Sequence, residues 1–141
     1  EAKAIGNRTF ELTQFLTDVL KFDNFHATLN TKATYHDSCA ALRECKIKEA
    51  PRKLLSNVSG LELVEMQDNE TCCGFGGTFA VKFESISTAM ADQKVQHALD
   101  TGAQTIISTD LSCLMHLDAY IKKNELPLNT MHIADVLASG W

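Results

Sequence analysis

Residues 61–79 read LELVEMQDNETCCGFGGTF, an apolar run followed by a loop with two adjacent cysteines and three glycines. We predict that residues 61–66 form a β-strand and that residues 68–79 form the loop at its carboxyl end. Glycine reaches backbone conformations that are closed to other residues, so this loop should be tight. A disulfide between adjacent cysteines strains the peptide that joins them. Cys72 and Cys73 are therefore better suited to act as two ligands.

Strands and helices alternate on both sides of this stretch. The pattern predicts further strands at residues 33–36, 104–108 and 128–132, and helices at residues 10–22, from Cys39, at 51–58, at 84–100, from Ser112 and at the end near Ser139. This order favours an α/β fold, in which a mainly parallel sheet of Rossmann-like βαβ units carries helices on both faces in three layers. In the first helix, an apolar stripe behind the cap residue Thr9 is expected to cover the sheet. We predict one domain over residues 1–141.

The overall composition excludes several classes of partner. The chain has 141 residues, of which 45% are hydrophobic, and its net charge of −5 comes from interspersed acids and bases. Because no basic stripe could neutralise phosphates, nucleic acid and membrane surfaces are not expected partners. No apolar run approaches the roughly 20 residues of a membrane helix, and the N-terminus does not resemble a signal peptide. We therefore expect a cytoplasmic protein without membrane insertion, and the start without Met suggests a piece of a longer chain.

Four of the five cysteines fall at predicted strand ends. Cys39, the pair Cys72 and Cys73, and Cys113 are separated by gaps that are each about one α/β unit long. Since parallel strands share a carboxyl edge, three successive loops should bring one, two and one sulfur atoms together, as a four-thiolate site requires. Helix starts beside the first and last of these residues would favour their thiolate forms. Cys45 lies in a charged stretch and is expected to be an incidental thiol.

Several other polar residues were candidates for a role at this site. His116 lies on the same helix face as the last of the four cysteines, so it is a candidate ligand or a partner of a ligand. His36 is expected to end a strand and to hydrogen-bond to the loop. Asp92, Lys94 and Lys82 are typical of a solvated face and receive no role. The glycine pattern does not open a helix with the spacing of a nucleotide-binding loop, so no nucleotide site is predicted.

Three motifs carry most of this pattern: His36-Asp37-Ser38-Cys39, CCGFGGTF at residues 72–79, and Cys113-Leu114-Met115-His116. Together they resemble the CCG cysteine-rich domain family, and in particular its lactate-utilisation group, over roughly residues 9–141. The resemblance implies an iron–sulfur oxidoreductase subunit with a cluster, of the 4Fe-4S type, on Cys39, Cys72, Cys73 and Cys113. It also implies the C-terminal one of two tandem domains, which oxidises L-lactate to pyruvate together with other iron–sulfur and lactate-utilisation subunits.

One position departs from the family pattern. The family motif closes with Cys-x-x-Cys, whereas this chain has His116 at the last position of Cys113-x-x-His116. A fifth thiolate is therefore missing, and His116 is the candidate that could bind a metal in its place.

Two alternatives to an iron–sulfur cluster remain open from the residues. Zinc suits the same four-sulfur or three-sulfur, one-nitrogen ligand set, which would give a structural docking module without redox activity. The vicinal pair Cys72-Cys73 could instead carry out thiol–disulfide exchange. Because iron–sulfur and zinc sites share ligand type and geometry, the sequence does not decide between them.

Overall fold

The computed structural model describes residues 1–140, and its central feature is a four-stranded sheet. The strands are β1 (Thr28–Tyr35), β2 (Ser59–Val64), β3 (Thr105–Ser108) and β4 (Asn129–His132). They pair in the order β2-β1-β3-β4, and every pair is parallel. The predicted parallel sheet is confirmed, although β1 and β2 begin earlier than predicted.

Helices connect the strands and cover both faces of the sheet. They are α1 (Ala2–Gly6), α2 (Leu12–Gln14), a first π-helical turn (Phe15–Val19), a second π-helical turn (Ala40–Glu44), α3 (Glu49–Leu55), α4 (Thr78–Lys82), α5 (Glu84–Asp100), α6 (Leu111–Lys123) and α7 (Ile133–Leu137). One apolar core includes residues of α5 and α6, and a second core includes residues of α3 and α7. Ile106 and Ile107 of β3 enter different cores because successive side chains of a strand point to opposite faces. The three-layer α/β fold is therefore confirmed.

The strand order creates a crevice at the carboxyl ends of β1 and β3. The chain runs from β1 outward to β2 and then returns past β1 to β3, so the direction of winding reverses between β1 and β3. Ligands of open parallel sheets bind at such reversal points. At this place the backbone N–H of His36 donates to the Ile107 carbonyl at 2.8 Å, and Ser108 Oγ donates to the His36 carbonyl at 2.9 Å. The end of β1 is therefore fixed against β3.

The N-terminal helical segment differs from the prediction in its cap and in its buried face. Glu11, rather than Thr9, caps α2, because its carboxylate accepts a hydrogen bond from the backbone N–H of Thr13 at 2.8 Å. Four members of the predicted apolar stripe are exposed: Leu12, Phe15, Val19 and Leu20. Thr13 and Thr17 are buried instead, and Thr17 Oγ1 satisfies its hydrogen bonding by donating to the Thr13 carbonyl at 3.0 Å. Of the predicted stripe, only Leu16 is partly buried and packs against the second core. The prediction that the stripe covers the sheet is therefore wrong for the other four residues.

The longest helix, α5, has 17 residues and a buried face made of small, apolar and polar side chains. Lys94 belongs to this face and is only 2% exposed, so its assignment to a solvated face is wrong. Asp92 accepts a hydrogen bond from the Tyr120 hydroxyl of α6 at 2.7 Å and so links the two helices. Among residues 1–140, no helix is both long and apolar enough to cross a lipid bilayer.

Candidate metal centre

Three buried side chains converge in the crevice between β1 and β3. His36 follows β1, Cys73 lies in the loop after β2, and Cys113 lies in the first turn of α6. Their exposed fractions are 0%, 1% and 5%, respectively. One ring nitrogen and two sulfurs from this trio all lie within 4.8 Å of one another. Nitrogen and sulfur donors at this separation form a ligand set that suits borderline and soft metals such as zinc and iron.

The imidazole of His36 is oriented by the loop that follows β2. Its Nδ1 lies 3.3 Å from the Asn69 carbonyl oxygen, which confirms the predicted hydrogen bond to the loop. In a neutral imidazole whose Nδ1–H donates to this carbonyl, Nε2 carries no proton and is able to bind a metal. Nε2 is buried and has no hydrogen-bond partner among residues 1–140. A buried polar atom without a hydrogen-bond partner lowers the stability of the folded protein by about 1–3 kcal/mol. A metal ion bound to Nε2 would remove this cost.

The two buried thiols of the trio differ in how readily they lose a proton. A hydrogen bond from the Cys113 thiol lowers the pKa of Cys73, and the adjacent His36 adds to this effect while burial opposes it. The same hydrogen bond, together with burial, raises the pKa of Cys113. Because thiolates rather than thiols bind metals, a metal entering this site has to displace the proton of Cys113.

The start of α6 fixes the position of Cys113. Asp110 caps this helix, since its Oδ1 accepts hydrogen bonds from the backbone N–H groups of Ser112 at 2.9 Å and Cys113 at 3.3 Å. The predicted cap, Ser112, is wrong, because it lies inside the first turn. The capped turn holds the Cys113 backbone beside the carboxyl end of β3.

The loop that carries Cys73 passes so close to α5 that it requires a glycine. Gly74 has a φ of +95°, and a Cβ at this position would lie 2.6 Å from the Ser87 carbonyl oxygen and 2.9 Å from Met90 Cβ. Ser87 Oγ also donates a hydrogen bond to the Gly74 carbonyl at 2.7 Å. Both the backbone angle and the close approach exclude a larger residue. The path of the Cys72-Cys73 loop therefore depends on Gly74.

We expect Gly74→Ala to lower the free energy of unfolding by about 3 kcal/mol, from left-handed strain and steric overlap together. Gly102→Ala is the matched control, because Gly102 has a φ of +72° and the added Cβ would meet only the flexible end of the Lys32 side chain, at 3.6 Å. This control should lose only about 1 kcal/mol from backbone strain. Urea unfolding of both variants tests the difference, and equal losses would contradict the close approach to α5.

An ion-pair network supports the strand end that carries His36. Arg52 of α3 donates hydrogen bonds of 3.0 and 2.7 Å to Asp37 and of 2.6 and 3.0 Å to Glu65. The side chain of Asp37 is 2% exposed, so Arg52 supplies the opposite charge that a buried carboxylate needs. Asn69 Nδ2 donates to Glu65 at 2.6 Å. The network therefore also holds the residue whose carbonyl orients His36.

The structure brings together two of the four predicted cysteine ligands, Cys73 and Cys113. Cys39 and Cys72 are half-buried and belong to the same strand-end segments. Within residues 1–140, however, their sulfurs lie outside the group of atoms that are mutually within 4.8 Å. Cys72 Sγ accepts a backbone N–H of its own loop at 3.4 Å. Cys45 is exposed and outside this group, as expected for an incidental thiol.

The two histidines near the site differ in how they relate to the trio. His116, a predicted ligand candidate, lies outside the trio, and its Nε2 is 3.2 Å from Ser87 Oγ. It thus contacts the side chain that anchors the Gly74 carbonyl. His36 was not predicted as a ligand, although its place directly after a strand and three residues before Cys39 was a usable signal.

Comparisons with known proteins agree with the cysteine pattern. The model of the CCG cysteine-rich domain family matches residues 33–118, which include the whole trio. The chain is 48% identical over 139 residues to Lactate utilization protein A of Geobacillus sp. (strain WCH70), covering 99% of this chain and 58% of that protein. It is 47% identical over 137 residues to Lactate utilization protein A 1 of Bacillus mycoides (strain KBAB4), covering 97% and 56%. For Lactate utilization protein A of Bacillus subtilis (strain 168), the identity is 43% over 139 residues, covering 99% and 58%.

The chain spans a little more than half the length of these relatives. The family match, by contrast, covers more than half of the chain itself and contains the three buried ligand candidates. On this evidence, the chain belongs to the CCG cysteine-rich domain family.

Proposed function

We propose that the chain holds the cofactor in an iron–sulfur electron-transfer subunit of a complex that oxidises L-lactate to pyruvate. The observation that carries the proposal is the pair of buried thiols, Cys73 and Cys113, whose sulfurs lie within 4.8 Å of each other and of a ring nitrogen of His36. The substrate is taken from the relatives, which are named as lactate utilization proteins. Conversion of L-lactate to pyruvate releases two electrons and two protons, and an iron–sulfur cluster, when bound, accepts and passes on electrons.

In this proposal, Cys39, Cys72, Cys73 and Cys113 are the thiolate ligands of a cluster of the 4Fe-4S type. Cys73 and Cys113 form its buried half. Cys39 follows His36 by three residues and Cys72 precedes Cys73, so both belong to segments that already reach the trio. We assign His116 a supporting role rather than that of a metal ligand, because its ring contacts Ser87.

The proposed partners are other iron–sulfur and lactate-utilisation subunits. The relatives are longer than this chain, and we propose that a second domain of the same family accounts for part of that difference. Electrons from lactate would reach the crevice between β1 and β3 and leave it for a partner. The substrate itself would be bound elsewhere in the complex.

A zinc-binding structural module is the second candidate. One imidazole nitrogen and two thiolates within 4.8 Å of one another are also three of the four ligands of a tetrahedral zinc site. In that case the metal would stabilise the crevice and the loops around it as a docking surface, without a change of redox state.

Metal analysis of protein purified anaerobically without added zinc separates these candidates. We expect iron and acid-labile sulfide in matching amounts together with broad brown absorbance, which would support electron transfer. Stoichiometric zinc in a colourless protein would favour the structural module. Protein without either metal would contradict both candidates and favour thiol–disulfide exchange at Cys72 and Cys73.

A further inference from the structure

Lys94 is a buried lysine that is not one of the proposed ligands of the cofactor. Its side chain is 2% exposed, and its ammonium group donates a hydrogen bond to the Asp68 carbonyl oxygen. None of the ion pairs among residues 1–140 includes Lys94. Burial of an ammonium group without an opposite charge is strongly unfavourable. An ammonium group at this position therefore depends on a source of negative charge close by.

The space around Lys94 leads to the cysteine loop. Lys94, Asp68 and Cys72 line a common cavity of about 10 Å³. A cavity of this size barely holds one water molecule, so water cannot replace the hydration that the ammonium group loses. The loop residues themselves must provide the compensating groups.

Both cysteines and carboxylates near Lys94 favour its ammonium form. Burial lowers the pKa of Lys94, and negative charge on Cys73, followed by Asp68, Asp37 and Cys72, opposes this lowering. Asp37 is already engaged by Arg52 in two hydrogen bonds, of 3.0 and 2.7 Å. The Asp68 side chain is 48% exposed, and its carboxylate lies 3.9 Å from His97 Nδ1, so solvent screens its charge. Negative charge on Cys73 is therefore the largest buried counter-charge near Lys94.

We propose that Lys94 is a built-in positive charge that compensates the anionic metal–thiolate site and strengthens its hold on the metal. This inference rests on the proposed function, because it needs a metal site at Cys73 and Cys113. Several thiolates around one metal leave a net negative charge, and in a dry interior a nearby cation stabilises that charge more than it would in water. The same cation would favour the reduced form of a cluster, since reduction adds negative charge.

A purely structural role for Lys94 makes a different prediction. If the side chain only anchored the Asp68 carbonyl, its replacement would destabilise the protein equally with and without metal. If the charge matters, the metal-free protein carries a buried cation without its full counter-charge. Without metal, a variant that lacks the cation should then be at least as stable as the wild type. With metal bound, the same variant should be less stable than the wild type.

The test uses zinc as the probe and measures its affinity by competition with a chromogenic chelator under reducing conditions. Lys94→Met keeps the length but removes the charge, Lys94→Arg keeps the charge, and Lys123→Met removes an exposed lysine of α6 as the matched control. We expect Lys94→Met to lose about 10- to 100-fold in zinc affinity, as outer-shell substitutions do. Lys94→Arg should lose far less, and Lys123→Met should match the wild type.

The second measurement is the thermal unfolding of each protein with and without zinc. We expect Lys94→Met to melt at or above the wild-type temperature without zinc and below it with zinc. The inference about Lys94 would be overturned if Lys94→Met bound zinc as tightly as the wild type, or if it lost equal stability with and without zinc. Neither result would contradict the proposed function. A wild-type protein that binds no zinc would overturn the metal site together with the inference. Zinc binding without any iron in the purified protein would overturn electron transfer and leave the role of Lys94 intact.

Discussion

Cys73→Ser and Cys113→Ser are each expected to lose metal affinity by about 100-fold or more, because a ligand should matter more than an outer-shell residue. Both sulfurs lie within 4.8 Å of His36, and both residues are buried. The measurement is metal content per protein after gel filtration, with zinc affinity from chelator competition. Cys45→Ser is the matched control, because Cys45 is exposed and should keep full metal content.

A Cys45→Ser variant that lost its metal would show that the ligand set is wrong, as would a Cys73→Ser variant that kept it. Three further variants define the rest of the set. Loss of iron in Cys39→Ser and Cys72→Ser would support the four-thiolate cluster. Loss of zinc in His36→Gln, with Cys39→Ser unaffected, would instead support a site built on the trio.

Arg52→Met is expected to lower the free energy of unfolding by about 3–5 kcal/mol, which is typical for removing one partner of a buried ion pair. The variant would leave Asp37, 2% exposed, without its partner. It would also remove the guanidinium that lies 5.2 Å from the centre of the Tyr35 ring. Urea unfolding at neutral pH measures the loss.

Lys53→Met is the control for Arg52→Met, because Lys53 forms an exposed ion pair with Asp23 at 2.9 Å. The free energy of unfolding of Lys53→Met should fall by less than about 1 kcal/mol. The double variant Arg52→Met with Asp37→Asn should recover part of the stability, because the unpaired buried charge is then gone. No recovery would mean that the loss comes from packing rather than from the orphaned carboxylate.

The pH dependence of the same network follows from Glu65. Hydrogen bonds from Arg52 are the largest cause that lowers the pKa of Glu65 below its ordinary value of 4.5. A lowered pKa contributes stability that is fully present above the unfolded-state value and is lost as the pH falls through the folded-state value. The stability difference between wild type and Arg52→Met should therefore shrink as the pH falls below about 4.5.

Hydrophobic pattern and spacing predicted that four cysteines would meet at one edge of the sheet, and the structure brings two of them, Cys73 and Cys113, together. The alternation of strands and helices implies a parallel sheet whose strands end at one edge, so the loops that carry the cysteines reach the same edge. Cys73 and Cys113 lie close together there. The glycines beside Cys73 were also informative, because a left-handed φ and a close approach are properties of one residue type. These features depend on local or topological rules that a sequence carries directly.

Side-chain placement depended on the tertiary structure. His36 joins the trio because a loop carbonyl fixes its ring, and that carbonyl comes from Asn69, a residue distant in sequence. Lys94 is buried because α5 turns that face toward the cysteine loop, whereas helical periodicity alone favoured a solvated face. In the N-terminal segment, Thr13 and Thr17 are buried, whereas four of the five residues of the apolar stripe are exposed. The sequence by itself therefore determined the α/β topology and the meeting of two thiols. Only tertiary packing decided which nitrogen and which charge lie beside these thiols, because contacts between distant segments set the orientation of a ring and the rotation of a helix.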